Sequence, residues 1–392
     1  MLKEKMVQLG DEPSAIRELF AYGLKRKAEI GADKVFDFSI GSPSVPAPEQ
    51  VRDTIMRLMN EDPVAVHAYT PAGGDPKVCQ AVADHIAKEY GIPAKAKQVY
   101  LTSGAAAGLA ITIEAITNPG AEVIVVSPYF PEYKTWIDQS KAKIVEVPAA
   151  LPDFSIDIEA MKSAINENTA AIILNSPNNP VGSVYSRENL EAFAKVLTEK
   201  EEEFGSQIFI IADEPYRQIT YGAEVPYIPS IYDDTIVCYS FSKSLSLPGE
   251  RIGYIYVNNL MKNADEVALA INGAGRALGY ICAPTLFQRV LEECIAVPSN
   301  VEAYDTNRKL LTEALSKMGY EYVEPQGAFY LWVKALEDDA QAFSDKAKEF
   351  ELLLVPSDSF GCGGWVRVSY CIAKETIENS LPAFEALMES YK

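Results

Sequence analysis

The chain has 392 residues, of which 48% are hydrophobic and 23% are charged, a composition that excludes disordered, collagen-like and fibrous proteins. Aspartate and glutamate number 55 against 35 lysines and arginines, and the resulting net charge of −20 argues against a nucleic-acid-binding protein. The two histidines, His67 and His85, leave almost no material for a histidine-rich metal site or a histidine-centred triad. We therefore expect no metal site, and any catalysis must depend on other residues.

The six cysteines show no CxxC spacing, which is typical of buried free thiols rather than of a zinc site or a disulfide scaffold. The amino end has no apolar stretch of signal-peptide length, and no later run approaches the roughly 18 apolar residues that cross a bilayer. The sequence therefore predicts a cytoplasmic protein without a membrane partner, and its length favours two domains.

Short apolar runs alternate with helical patterns from about Val99 onward. The runs cover 99–103, 122–128, 170–177, 207–213, 235–242 and 251–257. Between them, helices are predicted from Ala105 to Thr117 and from a cap at Ser186 to about Phe204. This alternation predicts an α/β fold with a mostly parallel sheet covered by helices on both faces.

The carboxyl end changes character and predicts a smaller α+β domain. Helices are expected near 302–318, 341–350 and 374–391, interleaved with strands at 328–333, 352–355 and 365–369. We accordingly divide the chain into three parts. They are an amino-terminal segment (1–45) that joins the small domain, a large domain (46–285) and the carboxyl-terminal small domain (286–392).

Polar residues follow several of the predicted strands directly, where ligands bind in doubly wound sheets. After the run at 235–239 comes SFSKSLSLPGERIG, which contains Ser240, Ser242, Lys243 and Arg251. A lysine that leaves a buried strand is costly unless it is paired, neutral or bound covalently. The serines and the arginine would donate hydrogen bonds to a phosphate. Taken alone, however, Lys243 is better explained as a surface lysine in a loop, as most lysines are.

Three further strand ends carry residues suited to the same chemistry. IFIIAD ends in Asp213, with Tyr216 three residues later, and AIILNSPNNPVG presents Asn179 before a proline. In LTSGAAAGL, small residues from Gly104 onward open a helix, where backbone N–H groups can bind an anion. Each signal has a structural explanation by itself, as a loop cap or an ordinary turn.

Together these segments resemble the class I/II aminotransferases, which are pyridoxal-phosphate (PLP) enzymes of fold type I. The stretch from Ser240 to Gly253 agrees with the lysine signature of that family. Four other motifs occur in the order of the family: SIGSP (39–43), YTPAGG (69–74), NNPVG (178–182) and ADEPY (212–216). The resemblance covers most of the chain and implies that the large domain binds PLP.

The resemblance assigns the central chemistry to four residues. Lys243 would bind the cofactor covalently and move the proton between the substrate α-carbon and the cofactor. Asp213 would pair with the pyridine nitrogen and keep it protonated. Tyr216 and Asn179 would form hydrogen bonds with the oxygen O3′ of the ring.

Further residues would hold the rest of the cofactor. Tyr129, in SPYFPEY, matches the aromatic residue that stacks on the ring. The groups implied for the phosphate are Ser240, Ser242, Arg251 and the backbone of Gly104, Ala105 and Ala106. Tyr69 matches a tyrosine that reaches the phosphate across a subunit interface, and the resemblance therefore implies a homodimer.

Substrate binding would depend on Arg367, in GWVRVSY, which matches the arginine that grips the α-carboxylate. An arginine between valines is poorly explained as a solvated surface residue. Gly41 and Asn179 would assist it. The resemblance thus implies an aminotransferase acting on an L-amino acid and a 2-oxo acid, with glutamate and 2-oxoglutarate as one pair.

The sequence leaves two classes of amino-group donor, aspartate and aromatic amino acids. Ala105 and its neighbours stand where one aspartate-using branch carries a lysine. Arg276 and Tyr280 are candidates for recognising the side chain from a neighbouring subunit, or are surface and packing residues, and Tyr22 could lie near the entrance. A carbon–sulfur β-lyase of the same fold would use the same lysine, aspartate and arginine. A ligand-sensing regulator without turnover is a further alternative.

Overall fold

The computed structural model describes residues 2–11 and 14–392. Its helices are α1 (Glu4–Asp11), α2 (Ala15–Ile30), α3 (Glu49–Leu58), α4 (Pro63–His67), α5 (Pro76–Tyr90), α6 (Gly104–Ile116), α7 (Glu132–Gln139), α8 (Ile158–Ala164), α9 (Arg187–Phe204), α10 (Phe241–Ser244), α11 (Ala264–Leu278), α12 (Thr285–Cys294), α13 (Val301–Met318), α14 (Ala340–Lys348) and α15 (Lys374–Glu389). Its strands are β1 (Phe36–Asp37), β2 (Val99–Thr102), β3 (Glu122–Ser127), β4 (Lys143–Pro148), β5 (Thr169–Asn175), β6 (Phe209–Asp213), β7 (Thr235–Ser240), β8 (Gly253–Val257), β9 (Tyr322–Val323), β10 (Tyr330–Lys334), β11 (Leu352–Leu353), β12 (Val355–Pro356) and β13 (Trp365–Ser369).

A seven-stranded sheet in the order β2-β8-β7-β6-β5-β3-β4 forms the centre of the large domain. Its strands run parallel except for β8, which is antiparallel to both of its neighbours. In β6, Ile210 and Ala212 join one apolar cluster, whereas Phe209 and Ile211 join another on the opposite face. Because alternate side chains point to opposite faces, both faces are buried, which confirms the predicted α/β architecture.

The strand register brings the predicted strand ends to one edge of the sheet. Asn175 of β5 is paired with Asp213 of β6, and Asp213 is paired with Cys238 of β7. The parallel direction therefore places the segments that follow these three strands side by side. This arrangement positions the candidate site described below.

One strand of this sheet, β4, was not predicted from the sequence. It lies at the edge and pairs only with β3. Lys143 and Glu146 lie on this strand, and Val147 is its one buried residue. An edge strand needs less apolar surface than a central one and carries charges readily, so its pattern resembles that of a loop.

A smaller antiparallel sheet in the order β12-β13-β10-β9 packs with α13, α14 and α15 in the carboxyl-terminal part. The predicted strand at 352–355 is divided, because β11 pairs with β1 whereas β12 pairs with β13. The parallel pairing of Phe36 with Leu352 connects the amino-terminal segment to this part. That contact supports the proposed division into domains, whose exact bounds stay a prediction.

Two further features of the described residues concern membrane-spanning helices and the thiols. Within residues 2–11 and 14–392, no helix has the length and apolarity needed to cross a membrane. All six cysteines are free, and four of them are buried: Cys79, Cys238, Cys294 and Cys371.

Candidate active site

A cavity of about 260 Å³ lies beyond the ends of β5, β6 and β7, between the large sheet and the smaller one. Eight of the predicted site residues line it: Gly41, Ala105, Ala106, Asn179, Asp213, Tyr216, Lys243 and Arg367. They come from both sheets and from the amino-terminal segment. The fold thus gathers residues that are more than 300 positions apart in the chain.

Lys243 lies on the short helix α10, directly after β7. The hydroxyl of Ser240 caps this helix by accepting a hydrogen bond from the backbone N–H of Ser242 at 3.2 Å. The Lys243 ammonium donates to the carbonyl oxygen of Gly41. Desolvation lowers the pKa of Lys243 to about 8, and the positive charges of Arg367 and Arg251 lower it as well. An amine with this pKa is neutral in a large fraction of molecules near pH 8, which favours nucleophilic attack on a carbonyl.

Asp213 ends β6 with its carboxylate buried and only half satisfied. Oδ2 accepts a hydrogen bond from the Tyr133 hydroxyl at 2.5 Å, while Oδ1 has no donor among the described residues. The amide of Asn175 donates to the Asp213 carbonyl oxygen at 2.7 Å and so fixes the backbone. Burial raises the pKa of Asp213 to about 7, because the charged form loses its hydration.

The unpaired Oδ1 of Asp213 tests whether PLP fits this cavity. A buried acceptor without a donor is costly, so its position calls for a donor that the described residues do not supply. A protonated pyridine nitrogen is such a donor, and its charge would also keep the carboxylate ionised. The residues present therefore fit the cofactor at this end.

The opposite end of the cofactor would meet an anion site at the start of α6. Gly104 begins this helix with a φ of +81°, and a Cβ there would lie 2.7 Å from Nη2 of Arg251. Nη1 of Arg251 lies 3.3 Å from the Ser242 hydroxyl, which lies 2.8 Å from the Ser240 hydroxyl. A helix N-terminus, a guanidinium and two hydroxyls therefore converge, as a phosphate requires. The residues predicted to bind the phosphate therefore lie together, although their role stays a prediction.

Arg367 lies on β13 and is 2% exposed, yet no carboxylate of the described residues forms an ion pair with it. Nη1 donates to Oδ1 of Asn179 at 3.0 Å, and Nη2 donates to the Ser39 carbonyl oxygen at 2.5 Å. Nε has no acceptor within the described part of the chain. Because a buried guanidinium is normally paired with an anion, this arrangement favours a carboxylate ligand.

Tyr330 of β10 connects several predicted residues and was missed in the sequence. Its hydroxyl is hydrogen-bonded to the Tyr216 hydroxyl at 2.8 Å, and its ring centroid lies 4.5 Å from the Arg367 guanidinium carbon. A Cβ on Gly41 would collide with the Tyr330 hydroxyl, which explains why the segment needs glycine there. A tyrosine within a buried strand gives no sequence signal that separates packing from binding.

The structure corrects the prediction for Tyr129. Its side chain is buried but does not line the cavity, because its ring packs against Gly361, where a Cβ would approach it to 2.8 Å. The next residue, Phe130, lines the cavity instead. Adjacent residues in a turn point in different directions, and the sequence motif did not reveal which of the two aromatic rings faces inward.

Tyr69 lies outside the cavity of its own chain. Its side chain is 95% exposed, so the prediction that it reaches a partner subunit stays untested. Arg276 and Tyr280 are exposed as well, while Tyr22 is 38% exposed and outside the cavity lining. These four residues contribute nothing to the cavity within one chain.

Two other contacts of the site were missed although the motifs contained their residues. Asn175 accepts a hydrogen bond from the Asn179 backbone N–H at 2.7 Å, and it ends the apolar run of β5. Tyr133 belongs to SPYFPEY, four residues after Tyr129, the residue predicted to contact the ring. A polar residue at a strand end was a usable signal for Asn175, whereas nothing distinguished Tyr133.

A family model described as aminotransferase class I and II matches residues 33–384. The chain belongs to this family. The aminotransferase activity and the aspartate-aminotransferase-like fold predicted from the motifs are thereby confirmed.

Relatives of this aminotransferase agree along nearly the whole chain. An aspartate aminotransferase of Thermotoga maritima is 29% identical and covers 93% of this chain and 95% of the relative. A probable aspartate/prephenate aminotransferase of Aquifex aeolicus is 28% identical and covers 96% of each chain. A crystal structure of an aminotransferase from Eubacterium rectale superposes with a TM-score of 0.97 at 50% identity, covering 100% of this chain and 99% of that chain. The aspartate aminotransferase of Thermus thermophilus with maleate has a TM-score of 0.88 at 26% identity and covers 99% of each chain.

Proposed function

We propose that the protein is a PLP-dependent aminotransferase that exchanges the amino group of an L-amino acid with a 2-oxo acid. Glutamate and 2-oxoglutarate would form one of the pairs. The observation that carries this proposal is a single cavity that holds an unpaired Asp213 oxygen, a lysine of lowered pKa and an arginine without an anion. These three groups would satisfy, in turn, a pyridinium, an aldehyde and a carboxylate.

PLP supplies an electron sink that stabilises the negative charge formed when a substrate α-proton leaves. Lys243 would hold the cofactor covalently and, once released by the amino acid, would carry the proton as base and then as acid. Its pKa of about 8 suits both roles near neutrality. Asp213 would hold the pyridine nitrogen, and Tyr216 with Asn179 would hydrogen-bond the ring oxygen. Phe130, which lines the cavity directly after Tyr129 in the chain, would pack on the ring in place of Tyr129.

Arg367 would orient the substrate through its carboxylate. Asn179 and the Ser39 carbonyl hold two of its nitrogens in place, and the Tyr330 ring lies against its face. A fixed carboxylate brings the α-carbon toward Lys243 in one orientation, which lowers the entropic part of the barrier. The phosphate would be held by Ser240, Ser242, Arg251 and the start of α6.

The donor is proposed to be aspartate or an aromatic amino acid. The names of the relatives favour aspartate. The cavity wall favours an aromatic side chain, because Ile16, Ile40 and Trp136 line it. The active unit is proposed to be a homodimer, in which the exposed Tyr69 would reach the phosphate of the partner.

A half-reaction screen tests this function. The protein is loaded with PLP, each amino acid is added alone, and the visible absorbance of lysine-bound PLP is followed as it converts to the pyridoxamine form. We expect conversion with at least one donor, recovery of the original spectrum with 2-oxoglutarate, and no lysine-bound spectrum for Lys243→Ala. Pyruvate formed from cysteine without an added oxo acid would instead establish the β-lyase. Failure of the wild type to bind PLP would refute the proposal altogether.

A further inference from the structure

A buried ion pair lies behind the cavity, immediately next to Asp213 and Tyr216 in the chain. Glu214 is 2% exposed and Arg217 is 7% exposed. Nε of Arg217 donates to Oε2 of Glu214 at 2.6 Å, and Nη2 donates to Oε1 at the same distance. Neither residue lines the cavity. Their contact is therefore bidentate, largely buried and outside the cavity of the candidate active site, while Arg217 also lines a second cavity on the other side.

The guanidinium of Arg217 is also held by two backbone carbonyls and two aromatic rings. Nη1 donates to the Val225 carbonyl oxygen at 3.0 Å, and Nη2 donates to the Pro226 carbonyl oxygen at 2.9 Å. Its central carbon lies 5.1 Å from the ring centroid of Tyr90 and 4.9 Å from that of Tyr227. A planar fork with two aromatic neighbours and four hydrogen bonds requires arginine, since lysine can supply neither the fork nor the stacking.

The pair closes the turn that presents two of the proposed catalytic residues. Glu214 directly follows Asp213, and Arg217 directly follows Tyr216. The Glu214 backbone N–H donates to the Cys238 carbonyl oxygen at 3.0 Å, and the Arg217 N–H donates to the Glu214 carbonyl oxygen at 3.3 Å. When Glu214 and Arg217 point away from the cavity and are locked together, Asp213 and Tyr216 are held pointing into it.

The pair also acts on Asp213 through charge. The carboxylate of Glu214 opposes ionisation of Asp213 and raises its pKa, while burial contributes the larger part of the rise. A cation at hydrogen-bonding distance from Glu214 offsets much of this field. Removing Arg217 alone would leave the Glu214 carboxylate, next to Asp213 in the chain, without its ion-pair partner.

We propose that the Glu214–Arg217 ion pair is a positioning device that holds Asp213 and Tyr216 at the cofactor and screens Asp213 from the charge of its neighbour. Buried ion pairs often add little to stability compared with apolar residues of similar volume, so stability alone does not explain this one. The inference rests on the proposed PLP-dependent function. It concerns residues that do not touch the cofactor or the substrate.

The variant Arg217→Lys tests the proposal, because it keeps the charge and removes the fork. The matched control is Arg308→Lys, since Arg308 also pairs with an acid three residues away, Asp305, and lies over a ring, that of Tyr221, at 4.8 Å. Both variants are loaded with PLP. Three quantities are measured: the dissociation constant of PLP, the pH midpoint of its visible absorbance, and kcat with KM for the amino acid.

We expect Arg217→Lys to lower kcat by about tenfold and to raise the midpoint of the absorbance change by about one pH unit. A tenfold change in rate and a shift of one pH unit correspond to the same difference in free energy. The midpoint rises because a displaced Tyr216 no longer stabilises the negative charge on the ring oxygen. KM for the amino acid should change less than about twofold, since Arg367 is untouched, and PLP should bind more weakly. Arg308→Lys should leave all of these values at the wild-type level.

Equal values for both variants, with only their melting temperatures lowered, would show that the pair is merely structural and would overturn the proposal. If Arg217→Lys does not fold, the double variant Glu214→Gln with Arg217→Met removes both charges together and avoids an unpaired buried ion. That variant should show the same changes in kcat and absorbance midpoint, and wild-type values in it would equally overturn the proposal. A wild type without the absorbance band would instead refute the proposed function.

Discussion

Replacing Asp213 by asparagine should stabilise the cofactor-free protein above neutral pH, even though it removes a proposed catalytic group. Asp213 is 5% exposed, and burial raises its pKa from 3.8 to about 7. One pKa unit corresponds to about 1.4 kcal/mol, so a rise of roughly three units amounts to about 4 kcal/mol. This energy is the cost of keeping the carboxylate charged in a site with an unpaired Oδ1.

The direction of the effect follows from which state holds the proton. Between about pH 4 and about pH 7, the folded protein keeps Asp213 protonated, while the unfolded chain has already released that proton. The free energy of unfolding therefore falls as the pH rises through this window, and the contribution of Asp213 is fully lost above about pH 7. Asparagine does not ionise, so the free energy of unfolding of the variant does not fall in this way as the pH rises.

The assay is urea unfolding of the cofactor-free wild type and of Asp213→Asn at pH 5 and pH 8. About two of the three pKa units lie in this interval, so the variant should gain about 3 kcal/mol on the wild type between the two pH values. The exposed Asp53, changed to asparagine, serves as a control that should show no such gain. PLP added to the wild type should remove most of the pH dependence, because its pyridinium would pair with Oδ1 under the proposed function. A stability difference that is the same at pH 5 and pH 8 would refute the reasoning.

Three further substitutions probe separate parts of the cavity. Arg367→Lys should raise KM for the amino acid at least about tenfold and leave PLP affinity unchanged, because one charged hydrogen bond to the carboxylate is lost. An unchanged steady-state KM would contradict the proposed binding of the substrate carboxylate by Arg367. Gly104→Ala should weaken PLP binding about tenfold in a fluorescence titration, since the new Cβ would meet Arg251 at 2.7 Å and the φ of +81° is unfavourable for alanine. Tyr330→Phe should lower kcat several-fold because Tyr216 loses its hydrogen bond, whereas Tyr320→Phe, which removes a buried hydrogen bond to the Phe384 carbonyl, should not.

The residues that the sequence placed at strand ends lie together in the structure, although their roles stay predictions. Asp213, Asn179 and Lys243 each follow an apolar run, and a parallel sheet brings such ends to one edge irrespective of the loops between them. Arg367 was recognisable because a charged residue between valines is unusual. Periodicity and burial cost therefore located the residues, and the family motifs supplied their roles.

The remaining features depend on side-chain direction, which a single sequence does not encode locally. Tyr129 and Phe130 are adjacent and chemically similar, yet Tyr129 packs against Gly361 whereas Phe130 lines the cavity. The predicted strand at 352–355 is divided because one of its halves pairs with a distant segment: Leu352 pairs with Phe36, more than 300 residues earlier in the chain. Edge strand β4 escaped prediction because its charges are solvated and its pattern carries little apolar signal.

The net negative charge of the chain opposes the binding of anionic ligands in the cavity. PLP and amino acids both bring anionic groups to a protein with a net charge of −20, so the overall field repels them. Salt screens that field over about 10 Å, whereas Arg367, at 2% exposure, acts at contact distance in a medium of low polarity. Because no acid of the described residues pairs with Arg367, its charge remains available to a carboxylate. Arg217, in contrast, is bound to Glu214 and offers no charge to a ligand. We therefore propose different roles for the two buried arginines: Arg367, without an acidic partner, would bind an anion, and Arg217, paired with Glu214, would hold the residues proposed to act on the cofactor.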